Sequence, residues 1–317
     1  MCGIVGLVRR FEPKASLGLG DLDAVCQALA AWEPDAGPIP LRALGDRLER
    51  LSLGLVDWSG LQTLRQDPSA RAQVEGLAAA LERVAEASDA FLALKSESTK
   101  AGEALAQAIV TVRDVAWRIR RDALSNLEAV GALVEAAEGC LGGPLQAKGW
   151  FELWRLNLVL NQLARLEVRG RDSGGLGTLV VFSKADWDAV EGELAAEGLA
   201  ETLAQREAIQ ALRDRGVMRG SSAGRVSLGF VHKVAKEVGE LGANVRDLRE
   251  KLSQDALCLR LISDERASVQ VIAHTRWASN GIISEPNCHP VANDLTGQIP
   301  ERVVFGVLNG DVDNYPT

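Results

Sequence analysis

The residue best suited to take part in a chemical reaction is Cys2, which directly follows the initiator methionine. Removal of Met1 would place a thiol and a free α-amine on the same residue. An α-amine has a pKa of about 7.7–8.0 and a thiol one of about 8.5, so the amine can accept the thiol proton near neutral pH. Cys2 therefore offers a nucleophile together with its base, an arrangement that an internal cysteine lacks.

Cys2 opens one of several short strings that stand out along the chain. These strings are CGIVG at 2–6, RGRDSGG at 169–175, AHTRWASNG at 273–281 with SEPNCHP at 284–290, and LNGDVDN at 308–314. Each string alone is a weak signal, because short motifs match by chance. Their occurrence together and in this order is far more specific.

In that order, the strings resemble the glutaminase domain of the N-terminal-nucleophile glutamine amidotransferases. The resemblance is strongest to the glutamine–fructose-6-phosphate aminotransferase branch. That family carries CGIVG at its start, then YRGYDSAG, HTRWAT-x-G, SE-x-N-x-HP and finally HNGIIEN. The resemblance covers residues 1–9 and about 153–317, and it does not cover 11–149.

The resemblance implies a chemical role for each end of the chain. Cys2 would attack the side-chain amide carbonyl of glutamine, forming a γ-glutamyl thioester, and its α-amine would take the thiol proton and then help to protonate the departing ammonia. The Asn309 side-chain amide and the Gly310 N–H would form the oxyanion hole, where one donor is worth roughly 2.7–4 kcal/mol of barrier. The family also places Arg169 and Gly170 beside the nucleophile.

The same resemblance assigns the recognition of glutamine to the third string. The Arg276 guanidinium would pair with the substrate α-carboxylate through two parallel hydrogen bonds. Trp277 would shape the pocket and exclude water, and Ser279 would add a hydroxyl where the family usually has threonine. We interpret His274 and His289 as structural hydrogen-bonding residues, because the terminal amine already serves as the acid–base group.

The sequence departs from the family pattern at several positions. Leu308 stands where the family usually has histidine, and Asn280 replaces another common histidine. The family binds the substrate α-amine through an aspartate beyond the Asn-Gly motif, whereas this chain stops first, at Thr317. We therefore expect the chain to be an N-terminal fragment of a longer protein, or an incomplete domain.

In such a longer protein, ammonia would pass to a missing C-terminal domain that binds the acceptor. The resemblance favours fructose 6-phosphate, a sugar phosphate, as this acceptor. One alternative keeps the glutaminase and changes the acceptor. Another is a non-catalytic module, in which the fold senses glutamine or acts as a scaffold.

Composition narrows the classes of partner and compartment. The net charge is −8 and the pI about 5.2, which argues against binding to nucleic acid or to an anionic membrane surface. Neither a signal peptide nor an apolar run long enough to span a bilayer is evident, so we expect a cytoplasmic protein. The five cysteines include no C-x-x-C pair, which favours reduced thiols over disulfides.

The three histidines have no metal-ligand spacing. We therefore predict no metal site. The glutaminase step itself needs no metal, and no other cofactor is expected.

The pattern of apolar residues divides the chain into two regions. Residues 11–149 are rich in Ala, Leu, Glu and Arg. Two stretches within them, 74–91 and 105–134, place apolar residues at steps of three and four, which is typical of long amphipathic helices in a bundle or coiled coil. The rest of the chain mixes short apolar strands with helices, and the segments predicted there are strands at 3–9, 176–182, 269–273 and 303–308 and helices at 150–167, 186–197, 201–214 and 231–254.

These two regions predict an α+β protein with two parts. Residues 1–10 and 150–317 would form the glutaminase domain, which by resemblance is the four-layer αββα sandwich of N-terminal-nucleophile hydrolases. Residues 11–149 would form a helical insertion between the first strand and the first helix of that domain. The insertion could bind a partner or mediate contact within a homo-oligomer.

Overall fold

A computed structural model describes residues 2–8, 17, 19, 22–94, 100–209, 213–236, 240–277, 282–293 and 300–310. The fold is α+β, 60% helical, with a five-stranded antiparallel sheet. The chain divides into two compact units: unit 1 comprises Met1–Phe11 and Val130–Thr317, and unit 2 comprises Glu12–Ala129. Residues 130–149, assigned above to the insertion, thus belong to unit 1.

Unit 2 is built from helices. They are α1 (Leu22–Ala30), a 3-10 turn (Pro34–Ala36), α2 (Ile39–Val56), α3 (Trp58–Gln66), α4 (Pro68–Leu94), α5 (Lys100–Trp117), a π-helical segment (Arg118–Leu124) and the first residues of α6 (Ser125–Leu141). Helix α4 packs against α5 and α1, and α2 packs against α5 and α3. Val74, Leu77 and Leu81 of α4 are fully buried, so the apolar stripe forms the core as its spacing predicts.

Helices α2 and α3 meet at Gly60, where an added Cβ would lie 2.5 Å from both the Cα and the carbonyl oxygen of Leu55. Neither backbone atom can yield without moving α2, so we expect Gly60→Ala to lower the free energy of unfolding by about 1–3 kcal/mol. Gly76→Ala in α4 is the matched control, because its Cβ would meet nothing within 4 Å and alanine favours helix by about 0.5–1 kcal/mol. Urea unfolding measures both variants, and equal stabilities would contradict this packing.

Unit 1 contains the sheet. Its strands are β1 (Gly3–Leu7), β2 (Ser173–Ser183), β3 (Val217–Ser222), β4 (Arg225–Ala235) and β5 (Ser268–Arg276), in the order β1-β5-β2-β4-β3 with every neighbouring pair antiparallel. A two-stranded pair is formed by β6 (Val291–Ala292) and β7 (Phe305–Gly306). The helices that follow α6 are α7 (Ala147–Leu166), α8 (Lys184–Ala196), α9 (Ala200–Glu207), α10 (Ala243–Ser253) and α11 (Ala256–Ile262).

The two faces of the sheet differ in what covers them. One face packs on helices: Phe182 of β2 lies 5.8 Å from the Trp187 ring of α8. The other face is rich in glycine, and a Cβ at Gly177 would lie 2.9 Å from Pro290. A Cβ at Gly229 would lie 2.6 Å from Val303. The segments around residues 290 and 303, which include the two-stranded sheet β6–β7, therefore lie on this second face, and the four-layer sandwich stays a prediction.

The prediction for segment 231–254 is wrong. This segment was predicted as one helix, but Val231–Ala235 belongs to β4 and the helix α10 begins only at Ala243. Strand β3 was not predicted, and the predicted strand 303–308 is reduced to the two residues of β7. Among the described helices, none combines the length and apolar character needed to cross a bilayer.

Candidate functional site

Three of the strings meet at one edge of the sheet. Strands β1 and β2 begin at this edge and β5, which lies between them, ends there. Thr275 of β5 pairs with Gly3 of β1 on one side and with Gly174 of β2 on the other. Because the neighbours are antiparallel, the segment after β5 emerges beside Cys2 and beside the loop that precedes β2.

The two ends of the described chain also meet at this edge. The backbone N–H of Cys2 donates a hydrogen bond to Oδ1 of Asn309 across 3.2 Å, although 307 residues separate them. Cys2 is partly exposed, and Asn309 and Gly310 are exposed. With Oδ1 turned to Cys2, the amide Nδ2 of Asn309 is the donor that this side chain can offer to another group.

Glycine permits two of the close approaches at this edge. A Cβ on Gly3 would lie 2.6 Å from Cβ of Leu166 at the end of α7, so only glycine lets β1 start here. A Cβ on Gly170 would lie 2.6–2.7 Å from the Arg276 carbonyl group and the Trp277 nitrogen. The N–H of Asp172 donates to the Arg276 carbonyl oxygen at 3.2 Å, which fixes the loop before β2 against the end of β5.

The side chains of the other predicted site residues are more exposed or make contacts elsewhere. Arg169 lies in the turn after α7 with an exposed side chain, and its N–H donates to the Leu166 carbonyl at 2.9 Å. Arg276 is half-buried, and its Nη1 donates to the Ile282 carbonyl at 3.2 Å. The Trp277 ring is 53% exposed. Ser279 lies outside the described residues, so its predicted role stays a prediction.

Helix α10 supports the RGRDSGG loop through two residues that the sequence analysis did not single out. Glu167 is buried, and its carboxylate accepts hydrogen bonds from the N–H groups of Gly242 and Val245 at the start of α10. Asn244 donates its Nδ2 hydrogen to the Arg171 carbonyl at 2.9 Å. The sequence signal for this support was weak, because a glycine before a helix and an acidic residue 75 positions earlier form no local motif.

His274 and His289 lie together behind the Asn-Gly turn. Their ring centroids are 4.7 Å apart in an edge-to-face arrangement. Burial, reinforced by the neighbouring His289 and Arg276, lowers the pKa of His274 to about 4. Burial also lowers the pKa of His289. The rings are therefore neutral near pH 7, which suits hydrogen bonding rather than charge stabilisation.

The neutral state of His274 predicts a pH dependence of stability. Its pKa is lower in the folded chain, about 4, than the ordinary 6.5, so its contribution is complete above about pH 6.5 and is lost as the pH falls towards 4. The loss is about 3 kcal/mol in the free energy of unfolding. We expect urea unfolding between pH 7 and pH 4 to show a shallower decline for His274→Gln than for the wild type. Parallel declines would contradict a buried neutral imidazole.

A second cluster of reactive side chains lies in the core of unit 1. Ligand atoms of His232, Asp255 and Cys258 lie within 4.8 Å of one another, a grouping that could hold a metal ion. However, Nη1 of Arg206 contacts both Asp255 oxygens at 2.6 and 2.7 Å, and His232 Nε2 lies 2.8 Å from Oδ2. Burial raises the pKa of the Cys258 thiol well above its usual value. The carboxylate is already paired and the thiol is protonated, so we interpret the cluster as structural.

Comparison with protein-family models, with curated proteins and with solved structures gives no match to this chain. The geometry at the sheet edge is therefore the basis for the function proposed for this chain. That geometry brings together Cys2, the Asn309-Gly310 turn, the loop at Gly170 and the end of β5 at Arg276.

Proposed function

We propose that this chain is the glutaminase part of a glutamine-dependent amidotransferase, with Cys2 as an N-terminal nucleophile. The observation that carries the proposal is the hydrogen bond between the Cys2 nitrogen and Asn309. It joins the proposed nucleophile to the proposed oxyanion donor from opposite ends of the sequence.

The first step would use the terminal amine as a base. After removal of Met1, the Cys2 nitrogen becomes an α-amine, which takes the thiol proton as sulfur attacks the side-chain carbonyl carbon of glutamine. The carbonyl π electrons move to oxygen, giving a tetrahedral oxyanion. Its collapse breaks the C–N bond, and the amine returns the proton so that ammonia leaves. Water then adds to the thioester carbonyl as the α-amine takes its proton, and the C–S bond breaks, which releases glutamate and returns the proton to the Cys2 sulfur.

The oxyanion would be stabilised by Asn309 and Gly310. Because Oδ1 of Asn309 accepts from the Cys2 nitrogen, the same contact fixes which end of the amide is a donor. Nδ2 of Asn309 and the N–H of Gly310 would then face the developing charge. Such donors act in the transition state because they are positioned before the reaction begins.

Recognition of the substrate would come from the end of β5 and the loop before β2. Arg276 is held by its main chain against Gly170 and Asp172, so its guanidinium extends from a fixed backbone. We assign it the α-carboxylate of glutamine, whose two oxygens match a guanidinium fork. Trp277 would close the pocket, with Ser279 and Arg169 completing its rim.

The proposed function also implies a fold class, an acceptor for the ammonia and a compartment. The five-stranded sheet with helices on one face would be half of the αββα sandwich. Ammonia would aminate a sugar phosphate, with fructose 6-phosphate as the expected acceptor, in a cytoplasmic, homo-oligomeric enzyme. No metal or cofactor is assigned to the glutaminase step.

Turnover of glutamine labelled with ¹⁵N in its side-chain amide tests the proposal on the full 317-residue chain. We expect labelled ammonia and glutamate in equal amounts, and much slower release from asparagine, whose amide is one methylene closer to the α-carbon. Saturable glutamine binding without ammonia release would instead favour a sensing module. Absence of both binding and turnover would reject the proposal.

A further inference from the structure

Leu308, the residue before Asn309, is held by two imidazole rings. His274 Nε2 lies 3.1 Å from the Leu308 carbonyl oxygen, and the Leu308 N–H donates to His289 Nδ1 at 3.3 Å. Both backbone polar groups of one residue are thus bonded to histidine side chains. Leu308 as a whole is 44% exposed, and these two contacts fix its backbone.

The hydrogen-bond roles define the tautomers of both rings. A carbonyl oxygen only accepts, so Nε2 of His274 must carry a proton. The Leu308 N–H only donates, so Nδ1 of His289 must be unprotonated. Nδ1 of His274 makes no hydrogen bond to the described residues, as expected for a neutral ring with its proton on Nε2.

The rings are themselves fixed to the sheet. His274 is 1% exposed in β5, where it pairs with Ile4 of β1 and Gly175 of β2. A Cβ at Gly175 would collide with the His289 carbonyl oxygen, so this glycine lets His289 approach β2. Rigid strands therefore determine where the two rings lie, and the rings determine where the backbone of Leu308 lies.

We infer that His274 and His289 are positioning residues that set the place of the Asn309-Gly310 oxyanion donors relative to Cys2. This inference rests on the proposed function. Asn309 and Gly310 are exposed and follow a strand of only two residues, so little else among the described contacts restrains them. Displacement of a catalytic group by about 1 Å can cost on the order of 10²-fold in rate.

The test compares two ligands in the wild type and in variants. Glutamate γ-semialdehyde adds to the Cys2 thiol: the S–H proton passes to the α-amine, a C–S bond forms, the carbonyl π bond opens, and the resulting oxyanion occupies the oxyanion hole. Glutamate binds without a bond to Cys2, so its planar γ-carboxylate brings no tetrahedral oxyanion to the hole. We expect His274→Leu and His289→Leu to weaken aldehyde binding by at least about 10-fold, since transition-state analogues depend on such donors, and to change glutamate binding by less than about 2-fold.

Isosteric variants separate positioning from folding. The side-chain nitrogen of His274→Gln replaces the Nε2 donor, and the side-chain oxygen of His289→Asn replaces the Nδ1 acceptor, so both should recover most of the aldehyde affinity. An equal loss of affinity for the aldehyde and for glutamate in the leucine variants would overturn the inference. So would a failure of the isosteric variants to recover affinity for the aldehyde. If the wild type itself forms no aldehyde adduct, the proposed function fails and the inference fails with it.

A further measurement needs no variant. We expect ¹⁵N NMR of the wild type to show both rings neutral with the proton on Nε2. A proton on Nδ1 of either ring would overturn the assigned contacts, even where the leucine variants fail to fold.

Discussion

Replacing Cys2 by alanine is expected to lower the rate of ammonia release from glutamine by at least about 10⁴-fold, because loss of a nucleophile removes the covalent pathway. The variant should still bind glutamine, since the residues proposed to hold the substrate remain. Steady-state measurement of labelled ammonia gives the rate, and calorimetry gives the binding.

Cys140→Ala is the matched control for this prediction. Cys140 is an exposed free thiol in α6, so it is at least as accessible to reagents as the partly exposed Cys2, and it belongs to none of the strings that meet at the sheet edge. We expect its removal to leave the rate within about 2-fold of the wild type, as for most surface substitutions. If the alanine variant of Cys2 kept wild-type turnover, another group would have to be the nucleophile.

Replacing Asn309 by alanine is expected to lower kcat by about 10²–10³-fold with a small effect on KM, because an oxyanion donor acts mainly in the transition state. The substitution also removes the acceptor for the Cys2 nitrogen. The alanine variant alone therefore mixes two losses, one on the oxyanion and one on the nucleophile.

Asn309→Asp separates these losses. Its carboxylate still accepts from the Cys2 nitrogen, yet it offers no N–H and adds a negative charge beside the oxyanion. We expect a decrease in kcat at least as large as that for alanine. Near-normal kcat in Asn309→Asp would show that the Nδ2 donor is not needed, and that the contact with Cys2 is the only role of this side chain.

The long helices α4 and α5 of unit 2 could be predicted because their information is local. In α4 the buried residues Val74, Leu77 and Leu81 recur at steps of three and four, so one stripe gives both the helix and its buried face. The π-helical segment between α5 and α6 could not be predicted, since the apolar spacing continues across it.

Strand β4 was mistaken for helix for a physical reason. Val231, His232 and Lys233 are all fully buried although successive side chains point to opposite faces, so both faces of β4 are covered here. A strand covered on both faces loses the alternation that identifies strands in a sequence. Burial of His232 and Lys233 depends on partners from elsewhere in the chain, and the sequence gives no sign of it.

The residues of the site were predicted from the resemblance to a family. Their proximity in the fold could not be derived from their spacing in the sequence. Gly3 pairs with Thr275 in β5, and Cys2 contacts Asn309 near the far end of the chain. Such long-range pairing carries no local pattern. The support from Glu167 and Asn244 was missed for the same reason, since each hydrogen-bonds to backbone groups more than 70 positions away.

The most direct test of the central claim is the intact mass of the purified chain before and after exposure to 6-diazo-5-oxo-L-norleucine, a glutamine analogue that alkylates nucleophiles. We predict a starting mass lacking Met1 and one adduct, which peptide mapping places on Cys2 and which excess glutamine prevents. A chain that retains Met1, or an adduct that forms equally in Cys2→Ala, would contradict the account.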